Sequence, residues 1–143
     1  MGMVLKGVYV LVVQVSRDKT VRVGSLGTIH FRAGLYAYVG SAQNNLEKRL
    51  KRHFGKAAKR RFWHIDYLLA EDCVKALKAY FKEAGKPEEC SMARKLAEHG
   101  FPVKGFGCSD CKCKSHLFMF ESQSLLKDVC FELNFKPFPL SSQ

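Results

Sequence analysis

Acidic residues are scarce in this chain. Its 143 residues include 13 Asp and Glu against 24 Lys and Arg, which gives a formal net charge of +11 with neutral histidines. This balance favours polyanionic partners, either nucleic acid or an acidic membrane surface. The membrane surface is the weaker of the two, because the most basic segment lacks the broad apolar face that interfacial helices need.

Long apolar runs, internal repeats, low-complexity segments and an obvious linker are also missing. The first fifteen residues are apolar, but Lys6 and Gln14 interrupt them, and they carry no small-residue cleavage site and are too short to span a bilayer. The overall composition, 47% apolar and 26% charged, is typical of a folded globular chain. We therefore expect one domain over residues 1–143 in the cytoplasm, without membrane association.

A disulfide framework is not expected for the six cysteines, because a reducing compartment favours thiols or metal ligands. Four candidate zinc ligands form the pattern C-x-x-C-x-C-x-x-H: Cys108, Cys111, Cys113 and His116. Thiolates and imidazole are the ligands that Zn²⁺ prefers in tetrahedral sites. Three alternatives stay open: Cys90 or Cys73 replaces Cys108, the loop holds reduced thiols only, or His116 contacts a phosphate.

One stretch of fourteen residues, 48–61, carries most of the excess positive charge and has no acidic residue. Its cations are Lys48, Arg49, Lys51, Arg52, Lys56, Lys59, Arg60 and Arg61. A dense cationic segment of this kind suits the phosphate backbone of a nucleic acid, which proteins bind without reading sequence.

The apolar pattern predicts hairpins over the first forty residues. A valine-rich strand covers Gly7–Val15, short strands follow at 21–23 and 28–31, and a fourth strand begins at Gly34 and ends in a glycine turn at Gly40. The residues at 74–81 fit a strand or a helix, of which we favour the strand, and a last strand is expected at 117–120. The residues at 62–70 form a short helix or a buried turn.

Helical spacing begins after Asn45, a suitable N-cap, and ends at Gly55. In this helix Leu46, Leu50, His53 and Phe54 share one face. A second helix is predicted behind Pro87, with Glu88 and Glu89 in its first turn. A C-terminal helix is predicted at 125–133.

Five residues in a fixed order stand out from this background. Tyr9 follows Gly7 in G-V-Y, Tyr38 precedes Gly40 in Y-V-G, Arg49 and His53 lie one helical turn apart, and Glu89 opens a later helix. Together they resemble the GIY-YIG nuclease superfamily, in particular its small single-domain archaeal and bacterial branch (Uri-type). The stretches L-Y-A-Y-V-G-S-A, W-H-I-D-Y-L-L and G-F-G-C-S-D-C-K-C-K-S-H-L-F carry the resemblance to that branch.

The resemblance implies an α+β fold, in which a small antiparallel sheet of three central strands, with an inserted hairpin, is flanked by helices. It implies metal-dependent hydrolysis of phosphodiester bonds in nucleic acid, DNA rather than RNA, with Mg²⁺ or Mn²⁺ as cofactor. The hairpin at 21–31 is the insertion, because Tyr9 and Tyr38 lie 29 positions apart, further than in the family pattern. The late asparagine of the family pattern is not evident after Glu89.

The resemblance also implies a catalytic role for each of the five residues. Tyr9 positions or deprotonates the attacking water, and Tyr38 lines the same pocket. Arg49 holds the scissile phosphate, and His53 matches a histidine one helical turn later. Glu89 holds the divalent ion through its carboxylate, the kind of ligand that Mg²⁺ prefers. Its neighbour Glu88 is an alternative ligand, which we place second because the apolar face of the helix is in register with Glu89.

A wider set of residues is expected to contact nucleic acid: Gly40, Lys48, Lys51, Arg52, Lys56, Lys59, Arg60, Arg61 and His64. Gly40 lets the backbone approach a phosphate because it has no Cβ. For His64 two interpretations stay open, a phosphate contact or a core histidine bonded to Asp66. The alternative function is a catalytically inactive nucleic-acid-binding module or repair-enzyme adaptor.

Overall fold

The computed structural model describes residues 6–55, 60–108 and 112–139. These residues form an α+β fold with eight strands and four helices. The strands are Gly7–Val15 (β1), Lys19–Arg22 (β2), Thr28–Phe31 (β3), Gly34–Ala42 (β4), Val74–Lys82 (β5), Phe101–Pro102 (β6), Leu117–Phe120 (β7) and Lys136–Pro137 (β8). The helices are Leu46–Phe54 (α1), His64–Leu69 (α2), Pro87–Leu96 (α3) and Gln123–Glu132 (α4).

Strand β1 lies at the centre of an antiparallel six-stranded sheet with the order β6-β7-β4-β1-β5-β8. Every residue of β1 is buried except Gln14. A strand covered on both faces needs an almost unbroken apolar sequence, which is what the valine-rich segment supplies. The three central strands predicted from the sequence correspond to β4, β1 and β5, each nine residues long.

The sheet is wider than predicted. β7 extends it beyond β4, and the two-residue strands β6 and β8 add one short edge on each side. Strands of two residues have no periodicity to read, and each contains a proline, which is tolerated at edges. The hairpin β2–β3 forms a separate two-stranded sheet, and its buried Val21 and Phe31 join the core below α2.

The core has two layers, one on each face of the sheet. Tyr9, Leu11 and Val13 point to the layer that α1 and α2 cover, while Val8 and Val10 point to the layer that α3 and α4 cover. This division follows from the alternation of side chains along a strand. No helix within the described ranges is long and apolar enough to cross a membrane.

The sequence correctly predicts the first helix and its cap. Asn45 accepts a hydrogen bond from the backbone N–H of Lys48 at 2.9 Å, and Gly55 follows the last helical residue. Leu46, Leu50 and His53 are buried on the face that the spacing predicted. The strand at β5, the helix behind Pro87 and the strand at β7 are confirmed as well.

The predicted end of the fourth strand is wrong. β4 runs through Gly40 to Ala42, and Gly40 pairs with Tyr9 of β1. A Cβ on residue 40 would lie 2.5 Å from the Tyr9 hydroxyl oxygen and 2.6 Å from the ring carbon that carries it. The glycine therefore makes room for a tyrosine side chain within the sheet rather than ending the strand.

This contact leads to a prediction about stability. Gly40→Ala should lower the free energy of unfolding by about 1–3 kcal/mol, because the buried Tyr9 ring has to shift. The matched control is Gly55→Ala, whose added Cβ has no neighbour closer than 3.6 Å and should change stability by less than about 0.5 kcal/mol. Urea unfolding of both variants measures the difference, and equal effects would contradict the steric argument.

Candidate active-site cleft

A cleft of about 410 Å³ opens where β1, β4, α1, α2 and α3 approach each other. Four of the five predicted catalytic residues line it: Tyr9, Tyr38, Arg49 and Glu89. Three of the residues predicted to bind nucleic acid line it as well: Gly40, Arg61 and His64. Positions separated by up to 80 residues in the sequence thus meet in one cavity.

His53, the fifth predicted catalytic residue, lies directly behind this cleft. It is 2% exposed, and its Nε2 is 2.7 Å from the hydroxyl oxygen of Tyr9. Its ring also packs against those of Tyr38 and Trp63, with centroids 6.3 Å and 6.2 Å away. Because α1 turns His53 inward one turn after Arg49, the histidine supports the Tyr9 hydroxyl from the protein side.

Both cleft tyrosines are held in their neutral form. Burial raises the pKa of Tyr9 well above its ordinary value, although the neighbouring Arg49 opposes the shift. Burial also raises the pKa of Tyr38, and the Tyr9 and Glu89 side chains add to the effect. At neutral pH each phenol therefore keeps its proton and can act as a hydrogen-bond donor.

Arg49 is fixed by a carbonyl group and an aromatic ring. One terminal nitrogen of its guanidinium donates to the backbone oxygen of Ser41 at 2.9 Å, and the guanidinium carbon lies 4.2 Å from the centre of the Trp63 ring. Stacking and hydrogen bonding both restrict the orientation of the planar guanidinium. The side chain is therefore held in place at the cleft before any ligand arrives.

The carboxylate of Glu89 accepts two hydrogen bonds from other parts of the fold. The Ser41 hydroxyl donates to Oε1 at 2.5 Å, and Nδ1 of His116 lies 2.9 Å from Oε2. Burial alone would raise the pKa of Glu89, but the bonds from His116 and Ser41 outweigh it and leave the pKa below its ordinary value. An ionised carboxylate thus faces the cleft, while the alternative ligand Glu88 is exposed.

The remaining predicted cations differ in their surroundings. Lys48, Arg60 and Arg61 are exposed. Lys51 is exposed too, but its ammonium group lies 3.0 Å from the Glu47 carboxylate in the same helix. Two predicted contacts, Lys56 and Lys59, fall outside the described residues.

Arg52 was predicted from the sequence to contact nucleic acid, but in the structure it pairs with an acid of the protein itself. Its guanidinium makes a two-pronged contact with the buried carboxylate of Asp66, at 2.7 Å and 3.2 Å. The backbone N–H groups of Phe62 and Trp63 donate to the same carboxylate. Helical spacing placed Arg52 on a polar face, but it could not show that a buried acid from the next helix would face it.

His64 is not bonded to Asp66, which was one of its two interpretations. Its Nδ1 instead accepts a hydrogen bond of 2.8 Å from the backbone N–H of Gly107. Burial lowers the pKa of His64, so the ring is neutral at neutral pH. The contact ties the loop before β7 to the start of α2 at the margin of the cleft.

Sequence reasoning missed several residues at this site. Ser41, Trp63 and Lys86 line the cleft, and so do Gly24 and Ser25 from the turn of the β2–β3 hairpin. Ser41 directly follows the Y-V-G motif, so its position was a usable signal. Nothing in the sequence indicated that Gly24 and Ser25 reach the cleft, because their position there depends on how the separate β2–β3 sheet packs against α2.

The cysteine loop differs from the predicted ligand set. Cys111 lies outside the described residues, and the Cys108 thiol is directed at the carbonyl oxygen of Phe106 at 3.6 Å. The structure instead brings Cys90, Cys113 and His116 together, with their ligand atoms all within 4.8 Å of one another. Cys90 was among the alternatives to Cys108, whereas Cys73 is buried in the core layer that α1 and α2 cover.

The Arg52–Asp66 pair leads to a second prediction about stability. Asp66→Asn should lower the free energy of unfolding by about 2 kcal/mol, because the charge-assisted bonds to Asp66 are lost. The matched control is Glu47→Gln at the exposed Lys51 pair, which should change stability by less than about 1 kcal/mol. Urea unfolding of both variants against the unmodified protein measures the two effects.

The same comparison has an expected pH dependence. Burial opposes ionisation of Asp66, but its hydrogen bonds lower the pKa of the folded state below the ordinary value. The stabilisation that ionised Asp66 gives the folded state is therefore complete above the unfolded-state pKa of about 3.9. It is lost as the pH falls through the folded-state pKa. The difference in free energy of unfolding between the unmodified protein and Asp66→Asn should become smaller at acidic pH. A difference that does not change with pH would contradict the ion-pair argument.

A model of the family described as Domain of unknown function DUF123 matches residues 8–135 of the chain. No curated protein and no solved structure matches the chain significantly. The family description names no activity, so the likeness to GIY-YIG nucleases stays a prediction. The matched segment runs from the second residue of β1 to beyond the end of α4, and the chain therefore belongs to the DUF123 family.

Proposed function

We propose that this protein is a metal-dependent endonuclease of the GIY-YIG type, which hydrolyses phosphodiester bonds in nucleic acid. The observation that carries the proposal is the convergence of three chemically distinct groups on one cleft: the fixed guanidinium of Arg49, the ionised carboxylate of Glu89 and the hydrogen-bonded pair of Tyr9 and His53. Phosphodiester hydrolysis needs an anion binder, a metal ligand and a way to handle a proton.

Phosphate binding is the first part of this proposal. Arg49, Arg61 and Lys86 line the cleft, so three cations accompany the single acid Glu89. Arg49 has the preferred geometry for phosphate, because its planar fork is already oriented by Trp63 and by the Ser41 carbonyl. A preorganised donor loses little entropy on binding and stabilises charge that develops on the phosphate oxygens.

The residues present fit a hard divalent cation. Glu89 offers one ionised carboxylate at the cleft, and Mg²⁺ commonly binds through one or two carboxylates together with substrate phosphate and water. When bound, Mg²⁺ or Mn²⁺ supplies Lewis-acid polarisation of the phosphate. Ser41 and His116 orient the carboxylate from behind, a supporting role typical of partners in the outer shell of metal sites.

Proton handling falls to Tyr9 and His53. In the proposed scheme the neutral Tyr9 hydroxyl donates to Nε2 of His53, 2.7 Å away, with the histidine in the tautomer that has its proton on Nδ1, and the phenol oxygen keeps lone pairs for the attacking water. In this scheme Tyr9 takes a proton from water while its own proton passes to His53. No free phenolate is needed, which removes the difficulty of using a tyrosine as a base at neutral pH.

The proposed partner is nucleic acid, DNA rather than RNA, in the cytoplasm. The support is the excess of cations on and around the cleft, where Lys48, Arg60 and Arg61 are exposed. These side chains would grip phosphates that flank the scissile one, and such contacts position the duplex or strand without reading bases.

The catalytic assignment predicts a sharp difference between two adjacent acids. Glu89→Gln should reduce cleavage at least about 10²-fold with Mg²⁺ or Mn²⁺, because the charged oxygen for the metal is lost. The matched control Glu88→Gln removes the same charge from an exposed neighbour and should leave the rate within about twofold. Gel assays on single-stranded, duplex and flap substrates of DNA and RNA measure both.

Binding separates this function from the alternative of an inactive module. Glu89→Gln should bind nucleic acid as well as the unmodified protein does, since it removes no phosphate contact. If the unmodified protein binds every substrate but cleaves none, the inactive module is the correct description. Full cleavage by Glu89→Gln would refute the role of this carboxylate.

The backbone-binding role of α1 leads to a separate prediction. Lys48→Gln should lower the slope of log affinity against log salt concentration by about 1, because one phosphate contact is lost. The matched control is Arg17→Gln, an exposed cation near the opposite end of β1, which should leave the slope unchanged. Fluorescence anisotropy over a range of salt concentrations measures both slopes, and equal slopes would place nucleic acid elsewhere on the surface.

A further inference from the structure

We propose that Cys90, Cys113 and His116 hold a Zn²⁺ ion, in a site separate from the divalent ion at the cleft. Sγ of Cys90, Sγ of Cys113 and a ring nitrogen of His116 all lie within 4.8 Å of one another. Nε2 of His116 is 3.9 Å from Sγ of Cys90. On a tetrahedral zinc ion, with bonds of about 2.3 Å to sulfur and about 2.0 Å to nitrogen, the ligand atoms lie roughly 3.5–3.8 Å apart. The 3.9 Å pair is close to that spacing, and the 4.8 Å limit keeps all three atoms near it.

The donor set selects zinc over the hard cations. Two thiolates and an imidazole are soft and borderline ligands, which favour Zn²⁺ over Mg²⁺ or Ca²⁺. The ligands also come from two separate elements, as they do in structural zinc sites. Cys113 and His116 form a C-x-x-H pair before β7, while Cys90 lies on α3. The ion would thus join the loop to the helix.

An open depression gives the ion access to this cluster. A cavity of about 460 Å³ lies against it and is lined by Cys90, Cys113, Ser115 and Phe118 among others. The three ligands found among the described residues leave one position of a tetrahedral ion for a fourth ligand, which can be water from this cavity.

His116 has a different partner on each ring nitrogen. Nε2 is directed at the Cys90 thiol, while Nδ1 lies 2.9 Å from Oε2 of Glu89. A metal on Nε2 requires the proton to be on Nδ1, and that proton then donates to the carboxylate. Zinc would therefore hold the Glu89 side chain in the orientation it has in the cleft.

Only the step in which zinc orients Glu89 for metal binding at the cleft rests on the proposed nuclease function. Zinc binding by these three ligands does not depend on nuclease activity, and so it can be tested without any cleavage assay. The matched control is Cys73→Ser, because Cys73 is a cysteine buried on the other side of the sheet. The test variants are Cys90→Ser and Cys113→Ser, which each remove one thiolate with a minimal change in shape.

The experiment measures zinc by elemental analysis and by competition with a chromophoric chelator, after reconstitution with ZnCl₂ and gel filtration. The unmodified protein and Cys73→Ser should hold near-stoichiometric zinc. Cys90→Ser and Cys113→Ser should bind zinc at least about tenfold more weakly. Near-UV circular dichroism checks that the variants fold. Absence of zinc from the unmodified protein, or equal affinity in all variants, would overturn the proposal.

Cobalt substitution of the unmodified protein tests whether thiolates bind the metal, even if a serine variant does not fold. Co²⁺ in this site should give thiolate charge-transfer absorption and the intense visible bands of a tetrahedral complex, and their absence would refute thiolate ligation. Glu89 is not a ligand, although it pairs with His116, so Glu89→Gln should still bind zinc and should lose less affinity than Cys90→Ser or Cys113→Ser. Zinc retained by a protein that cleaves nothing would refute the nuclease alone, whereas cleavage by a protein that takes up no zinc on reconstitution would refute the zinc site alone.

Discussion

The phenol of Tyr9 occupies the space that a side chain on residue 40 would need. Because Gly40 pairs with Tyr9 across the central strands, this contact requires a glycine at one point of β4 and brings the tyrosine hydroxyl to the sheet surface facing α1. His53 then meets that hydroxyl from the helix. The next residue of β4, Ser41, presents its carbonyl to Arg49 and its hydroxyl to Glu89. The geometry of the cleft thus follows from one register of one pair of strands.

Much of the fold could be predicted from the sequence because its strongest signals are local. The valine-rich β1, the Asn45 cap of α1 and the proline start of α3 are each decided by neighbours in the chain. Gly40 shows where such signals fail, since a glycine that ends a strand and one that admits a tyrosine look the same in sequence. Edge strands of two residues are beyond any periodic pattern, because their pairing is decided by partners far along the chain.

The site was predictable to a similar and limited degree. The resemblance located Tyr9, Tyr38, Arg49 and Glu89, which do share a cleft. Arg52 shows the limit, because whether a cation on a helix grips a ligand or a buried acid depends on which side chain the next element places beside it. Asp66 lies fourteen residues later, in a segment predicted as a short helix or a buried turn, but nothing in its local sequence shows which cation it meets. Long-range pairing of charges is a property of the packed structure.

Glu89 lies on helix α3, but its two hydrogen-bond partners come from the sheet side, one from β4 and one from the residue before β7. Ser41 is near the end of β4, and His116 directly precedes β7, where its backbone oxygen accepts a hydrogen bond from Val39 of β4. Any shift of α3 against the sheet would therefore stretch or break the hydrogen bonds of the Glu89 carboxylate. A partly buried acid held at both oxygens tolerates little movement, since each lost bond leaves a charge in a poorly solvated place. That constraint explains how a residue in the first turn of a ten-residue helix can have a fixed orientation, as the proposed role of Glu89 in metal binding requires.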